Sequence, residues 1–287
     1  MASTYGPPST CPLNCRQTRD YSAAIEWRAK DRAWYGSRSR AREVKLRAVL
    51  AIGLLGCAVT GASLEPLPPG GHQVLFIGNS LTYTNDLPGT IAALANSVGD
   101  TIRVRSVALP NYALIDHVDG GSNAVDVIRS QKWSMVVLQQ GPSTLPLNRD
   151  TLVLATQKFD PFIKAAGARS GTFMTWPASD RPGDFPRVLG SSQLAAHTVG
   201  GVLLPVGQAW VSAWAKDAQL PLYGPDGYHP GELGTYLAAL VIYEGITGHD
   251  ARLLPGRAVV GGRDLNVPET TVRMLQSIAH ETVLAYP

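Results

Sequence analysis

From residue 72 onward the sequence alternates short apolar runs with longer amphipathic stretches, and few folds accept that rhythm. Residues 73–77 (QVLFI), 103–108, 135–138 (MVVL), 172–176 and 201–204 have the length of strands. Residues 87–98, 124–130, 151–166, 188–199, 209–218, 231–247 and 268–285 carry helical spacing. Parallel neighbours need a long crossover, so strands separated by helices pair in parallel and are covered on both faces. The pattern predicts an α/β protein: a three-layer α/β/α sandwich around a mainly parallel five-stranded sheet. In such sheets function gathers at the carboxyl ends of the strands.

The stretch before residue 72 obeys other rules, and composition matters there. The net charge of +3 is unevenly spread: residues 1–56 hold 10 Lys+Arg against 4 Asp+Glu, and residues 57–287 hold 15 against 18. The body is slightly acidic, so the basic total is no argument for nucleic-acid binding. Lys45 and Arg47 precede an uncharged stretch, residues 48–62 (AVLAIGLLGCAVTGA). That is shorter than the ~20 residues a membrane span needs, and it suits the apolar region of an export signal. A short buried helix is the competing reading. Within it, Leu54-Leu55-Gly56-Cys57 resembles the lipobox of bacterial lipoproteins, which implies a lipid on Cys57 and a surface-anchored chain. A cut after Ala62 implies secretion instead.

The domain expectations follow. Residues 1–43 form a disordered or non-native extension, 44–62 a signal or lipoprotein leader, 63–72 a Pro/Gly linker, and 73–287 the folded domain. Translation starting near Val44 and a cytosolic tail ahead of an anchor both fit residues 1–43. Cys11 and Cys15 lack a second pair of ligands, which weakens a zinc reading. No cysteine follows Cys57, so the body has no disulfide, thiol nucleophile or thiolate metal site.

Two fragments carry chemistry. The first apolar run leads into Gly78-Asn79-Ser80-Leu81-Thr82, a tight turn that can hold a serine hydroxyl exposed. A plain turn or an N-cap serine fits the same residues. The second is Asp226-Gly227-Tyr228-His229-Pro230, ahead of a late helix. An acid three residues before a histidine can orient the imidazole while its other nitrogen faces a nucleophile. Turn chemistry also explains Asp-Gly, and Pro230 suits a first helical residue. No G-x-S-x-G, phosphate-binding loop or dinucleotide fingerprint is present, and no cofactor or metal is called for.

Taken in order, these fragments resemble the SGNH (GDSL-like) hydrolases. Residues 76–82 look like the family's first block and residues 226–230, followed by Gly234-Thr235-Tyr236, like its last. The resemblance spans about residues 73–250 and is closest to an exported bacterial subgroup, which also shares Val137-Leu138-Gln139 and residues 205–210. It implies an SGNH/flavodoxin-like fold, Ser80 as nucleophile, His229 as general base and Asp226 as its orienting acid. It further implies an oxyanion site from the N–H groups of Ser80 and Asn111 and the side-chain amide of Gln139, with Gln140 as the alternative. Asn111 replaces the family's glycine; asparagine tolerates left-handed backbone angles better than most residues.

Asn79 is expected to shape the turn or edge the pocket. His117, where the subgroup also carries a histidine, is expected to line the pocket or sit on a helix surface. Trp176 is a candidate pocket wall or a core residue. His72, His197, His249 and His280 are assigned to the surface. The expected activity is hydrolysis of short-chain or carbohydrate-linked acyl esters by a serine esterase. A lipase or phospholipase of the same family, or a non-catalytic surface-anchored binding protein, is the alternative. The partner is then a small-molecule or carbohydrate ester, with no nucleic acid, and membrane contact only through the lipid.

Overall fold

The computed structural model describes residues 62–287, so the leader, Cys11, Cys15 and Cys57 lie outside the described residues. Five strands, β1 (His72–Gly78), β2 (Ile102–Ala108), β3 (Met135–Gln139), β4 (Arg169–Phe173) and β5 (Val202–Leu204), make one sheet in the order β2-β1-β3-β4-β5. Every pairing in it is parallel. Seven helices of six or more residues join and follow them: α1 (Leu87–Asn96), α2 (Ala124–Arg129), α3 (Pro146–Ala165), α4 (Phe185–Val199), α5 (Val206–Lys216), α6 (Glu232–Thr247) and α7 (Glu269–Ala285). This is the three-layer α/β/α sandwich the alternation predicts.

Side chains on the central strands point alternately to the two faces, and the core splits accordingly. Val74 and Phe76 of β1 with Met135 and Val137 of β3 pack against α1, α5, α6 and α7. Leu75 and Ile77 with Val136 and Leu138 pack against α2 and α3. Both faces are apolar, which is why these two strands read as unbroken hydrophobic runs. Helix α6 is buried nearly all round, from Leu233 to Ile246, as its lack of a polar stripe requires.

β4 and α3 differ from expectation, and one element leaves no sequence signal. β4 lies at Arg169–Phe173, not 172–176, because the apolar run Met174–Trp176 continues past the strand into a buried loop. Helix α3 begins at Pro146, where the ring's fixed φ suits a first turn, rather than at 151. A small antiparallel hairpin, β6 (Val259–Val260) with β7 (Arg263–Asp264), has strands of two residues, too short to leave a period.

The chain leaves β1 to build β2 on one side, then crosses β1 to build β3 on the other. The carboxyl ends of β1 and β3 therefore flank the topological switch point, where an open parallel sheet leaves a crevice.

Candidate active site

Ser80 stands two residues beyond β1, at the start of a one-turn helix, Ser80–Tyr83. Asn79 caps that turn: its Oδ1 accepts from Leu81 N–H at 3.1 Å and its Nδ2 donates to the Tyr112 carbonyl at 3.0 Å. Asn79 is buried and its polar groups are committed, so it shapes the turn.

The loop before α6 brings the second fragment over the same crevice. His229 Nε2 lies 2.8 Å from Ser80 Oγ, and its Nδ1 lies 2.5 Å from Asp226 Oδ2. The other carboxylate oxygen, Oδ1, accepts from the N–H groups of Tyr228 at 3.0 Å and His229 at 2.9 Å. Burial works against the charged carboxylate. The hydrogen bonds from the His229 ring and the two N–H groups outweigh it and hold Asp226 below the usual carboxylate range. Gly227 takes a left-handed φ of 67°, which lets the loop fold Asp226 back onto His229. Trp176 Nε1 donates to the Tyr228 carbonyl at 2.9 Å and holds the loop from beneath.

The arrangement is open. The side chain of Asp226 is 52% exposed and that of His229 34%. Two clefts of about 200 and 280 Å³ lie beside the C-terminal end of α7, away from this crevice.

Asn111 takes φ +63°, the left-handed region expected where a glycine would otherwise stand. Among the described residues no group accepts from its N–H or from that of Ser80.

Gln139, Gln140 and His117 sit elsewhere than expected. Gln139 is buried, and its Oε1 accepts from Asn79 N–H at 2.9 Å and Thr82 Oγ1 at 2.7 Å. A backbone N–H can only donate, so it fixes which way this amide points. Nε2 is left sealed inside with no partner among the described residues. Gln139 therefore props the nucleophile turn from below rather than offering a donor to an incoming oxygen. Its side chain also occupies the space a Cβ on Gly78 would need, so that glycine is required.

Gln140, the alternative, accepts from Leu114 N–H and donates to Ser143 and Asn148. His117 neither lines a pocket nor lies on a surface: it is fully buried. Its Nε2 donates to the Gly78 carbonyl at 2.8 Å, which leaves Nδ1 to accept from Ser122 Oγ at 2.8 Å. Burial lowers its pKa, more than the Gly78 bond and nearby Asp116 raise it. Trp176 is likewise fully buried, stacked on Trp210 with centroids 3.8 Å apart, which is the core placement of the two alternatives.

Sequence reasoning also missed a cluster at the far end of α6. There His280 Nδ1 lies 2.7 Å from the buried Glu244 and 3.4 Å from Asp250. The fold brings His280, expected at the surface, onto Glu244 and Asp250.

No family model matches the sequence, and no curated protein does either. Solved structures match strongly. A candidate SGNH hydrolase from Slackia heliotrinireducens is 26% identical, with a TM-score of 0.54 over 62% of this chain and 100% of that one. A DUF4886 family protein from Bacteroides uniformis is 18% identical, with a TM-score of 0.64 over 75% of this chain and 95% of that one. A candidate GDSL-like lipase from Parabacteroides merdae is 13% identical, with a TM-score of 0.50 over 62% and 95% of the two chains.

Proposed function

We propose that this chain, whose fold is that of the SGNH hydrolases, is a serine esterase that hydrolyses short-chain or carbohydrate-linked acyl esters. The observation that carries the reading is the continuous relay from Asp226 through His229 to Ser80 Oγ, with steps of 2.5 and 2.8 Å. Ser80 Oγ attacks the acyl carbonyl while His229 Nε2 takes its proton; the π electrons move onto the carbonyl oxygen. His229 then returns that proton to the departing alkoxide, leaving an acyl-serine that water cleaves by the same exchange. Asp226 keeps the imidazole in the required tautomer and steadies its charged form. The unpartnered N–H groups of Ser80 and Asn111 are available to the developing oxyanion.

The openness of the site favours a short acyl group on a bulky alcohol over a long lipid chain. Labelling with a fluorophosphonate probe and mapping the modified peptide tests the nucleophile. Turnover of p-nitrophenyl acetate against longer acyl esters tests chain length. A non-catalytic, surface-anchored binding protein is the second reading, favoured by the sealed amide of Gln139; it requires no label on Ser80 and no turnover. The export proposal rests on residues 44–62, and mass spectrometry of the native N-terminus tests it: a lipid-bearing Cys57 supports anchoring, and an intact leader overturns export.

A further inference from the structure

Gln140 is committed elsewhere and Nε2 of Gln139 is sealed inside, so the Asp226–His229 loop over the crevice is the next place to look for a polar side chain. Tyr228 stands between those two residues, half-buried, with its ring edge-on to the His229 ring at 5.3 Å and 84°. Its hydroxyl has no hydrogen-bond partner among the described residues and is not sealed from solvent. The hydroxyl lies 3.3 Å from the point where a Cβ on Gly141 would stand. β1 and β3 are neighbours with Ile77 paired to Leu138. Ser80 and Gly141 each follow that pair by three residues, so they leave the sheet at the same level on either side of the switch point. Asn111 follows β2, on the opposite side of β1.

We infer that Tyr228 is a catalytic residue whose hydroxyl donates a hydrogen bond to the acyl oxygen of the substrate from the β3 side of Ser80. The inference rests on the esterase reading above. The bond strengthens as the oxygen gains charge, and the phenol keeps its proton throughout. Burial and the neighbouring Asp226 carboxylate raise the Tyr228 pKa, which keeps that proton in place. Gly141 is the counterpart: any side chain there crowds the hydroxyl.

The test is Tyr228→Phe, which retains the ring against His229. Removal of one oxyanion donor lowers kcat by about 10²–10³, with KM little changed. Ser80 should still take the fluorophosphonate label, more slowly. Gly141→Ala supplies an independent arm: it should lower kcat in the wild type yet add little in the Tyr228→Phe background, because both act through one hydroxyl. A Tyr228→Phe enzyme within about twofold of wild-type kcat, or fully additive effects, overturns this role while leaving Ser80 labelling and the esterase reading intact. A wild type that takes no label and turns over no ester overturns both.

Discussion

Two histidines meet the nucleophile turn from opposite sides, and their surroundings assign them different work. His229 approaches from above, on a loop, one third exposed, with a carboxylate on one nitrogen and the Ser80 hydroxyl on the other. His117 approaches from below, fully buried, held between the Ser122 hydroxyl and the Gly78 carbonyl. The first has a carboxylate on one nitrogen and a hydroxyl to act on at the other. The second is bonded to two neutral groups inside the core, where burial makes a charge costly despite nearby Asp116. The imidazole is the same; access to water and the charge beside it separate a base from a strut. The turn that carries Ser80 needs both, since β1 ends where the two contacts converge.

The largest effects should separate the two sides by activity. Ser80→Ala and His229→Ala are each expected to lower kcat by about 10⁴–10⁶. Neither should move the denaturant midpoint by more than ~0.5 kcal/mol equivalent, because neither side chain is buried. Wild-type-like turnover in purified Ser80→Ala protein would falsify the esterase mechanism. Next comes His117→Ala, which leaves a cavity and strips a partner from Gly78. A loss of about 2–4 kcal/mol in chemical denaturation is expected, with activity falling because the turn loosens. A His117→Ala protein as stable as wild type would break the comparison, since the buried histidine would then not be a strut.

Gln139→Ala sharpens it from the same side. An acceptor beneath the turn should cost about 1–3 kcal/mol of stability when removed, as Asn79 N–H and Thr82 Oγ1 lose their partner. An oxyanion donor would lower kcat and leave stability untouched. Parallel unfolding and kinetic measurements on this one variant distinguish the two roles.

The part of this molecule legible in sequence is the part set by neighbours along the chain. β1 and β3 announce themselves because burial on both faces makes Val74–Ile77 and Met135–Leu138 unbroken apolar runs. β4 hides its start, because Arg169, Ser170 and Gly171 look like a loop, and its apparent continuation in Met174 and Trp176 is core packing beyond the strand. The relay was legible for the same local reason: Asp226 and His229 are three apart, and Ser80 sits in a turn its own neighbours specify. The functions of Gln139, His117 and Trp176 depend on which way a side chain turns toward a residue some 40–60 positions away. Periodicity carries no such direction. A glutamine at the end of β3 can prop the turn or point into the crevice, and only the N–H of Asn79 decides. Tyr228 gives no signal of its own in sequence, because what singles it out is the approach of its hydroxyl to Gly141, distant in the chain.

The smallest expected effect is a pH dependence of stability carried by His117 alone. Burial lowers its pKa from the ordinary 6.5, so between its folded value and 6.5 the unfolded chain binds more protons than the native one. Stability then rises with pH across that window. The contribution is fully present above about pH 6.5 and is lost as pH falls toward the folded value. His117→Gln keeps an amide donor for the Gly78 carbonyl but cannot titrate. Urea midpoints taken at pH 5, 6, 7 and 8 should therefore climb more steeply in the wild type than in this variant, whatever constant offset separates the curves. Asp226 has the same sign of linkage, but its window lies below the ordinary carboxylate value of 3.8. Its contribution is already complete at pH 5 and does not enter the comparison. Parallel curves for wild type and His117→Gln would mean that the buried imidazole accepts its proton as readily as one in water. The contrast between the two histidines would then have to be drawn on something other than burial.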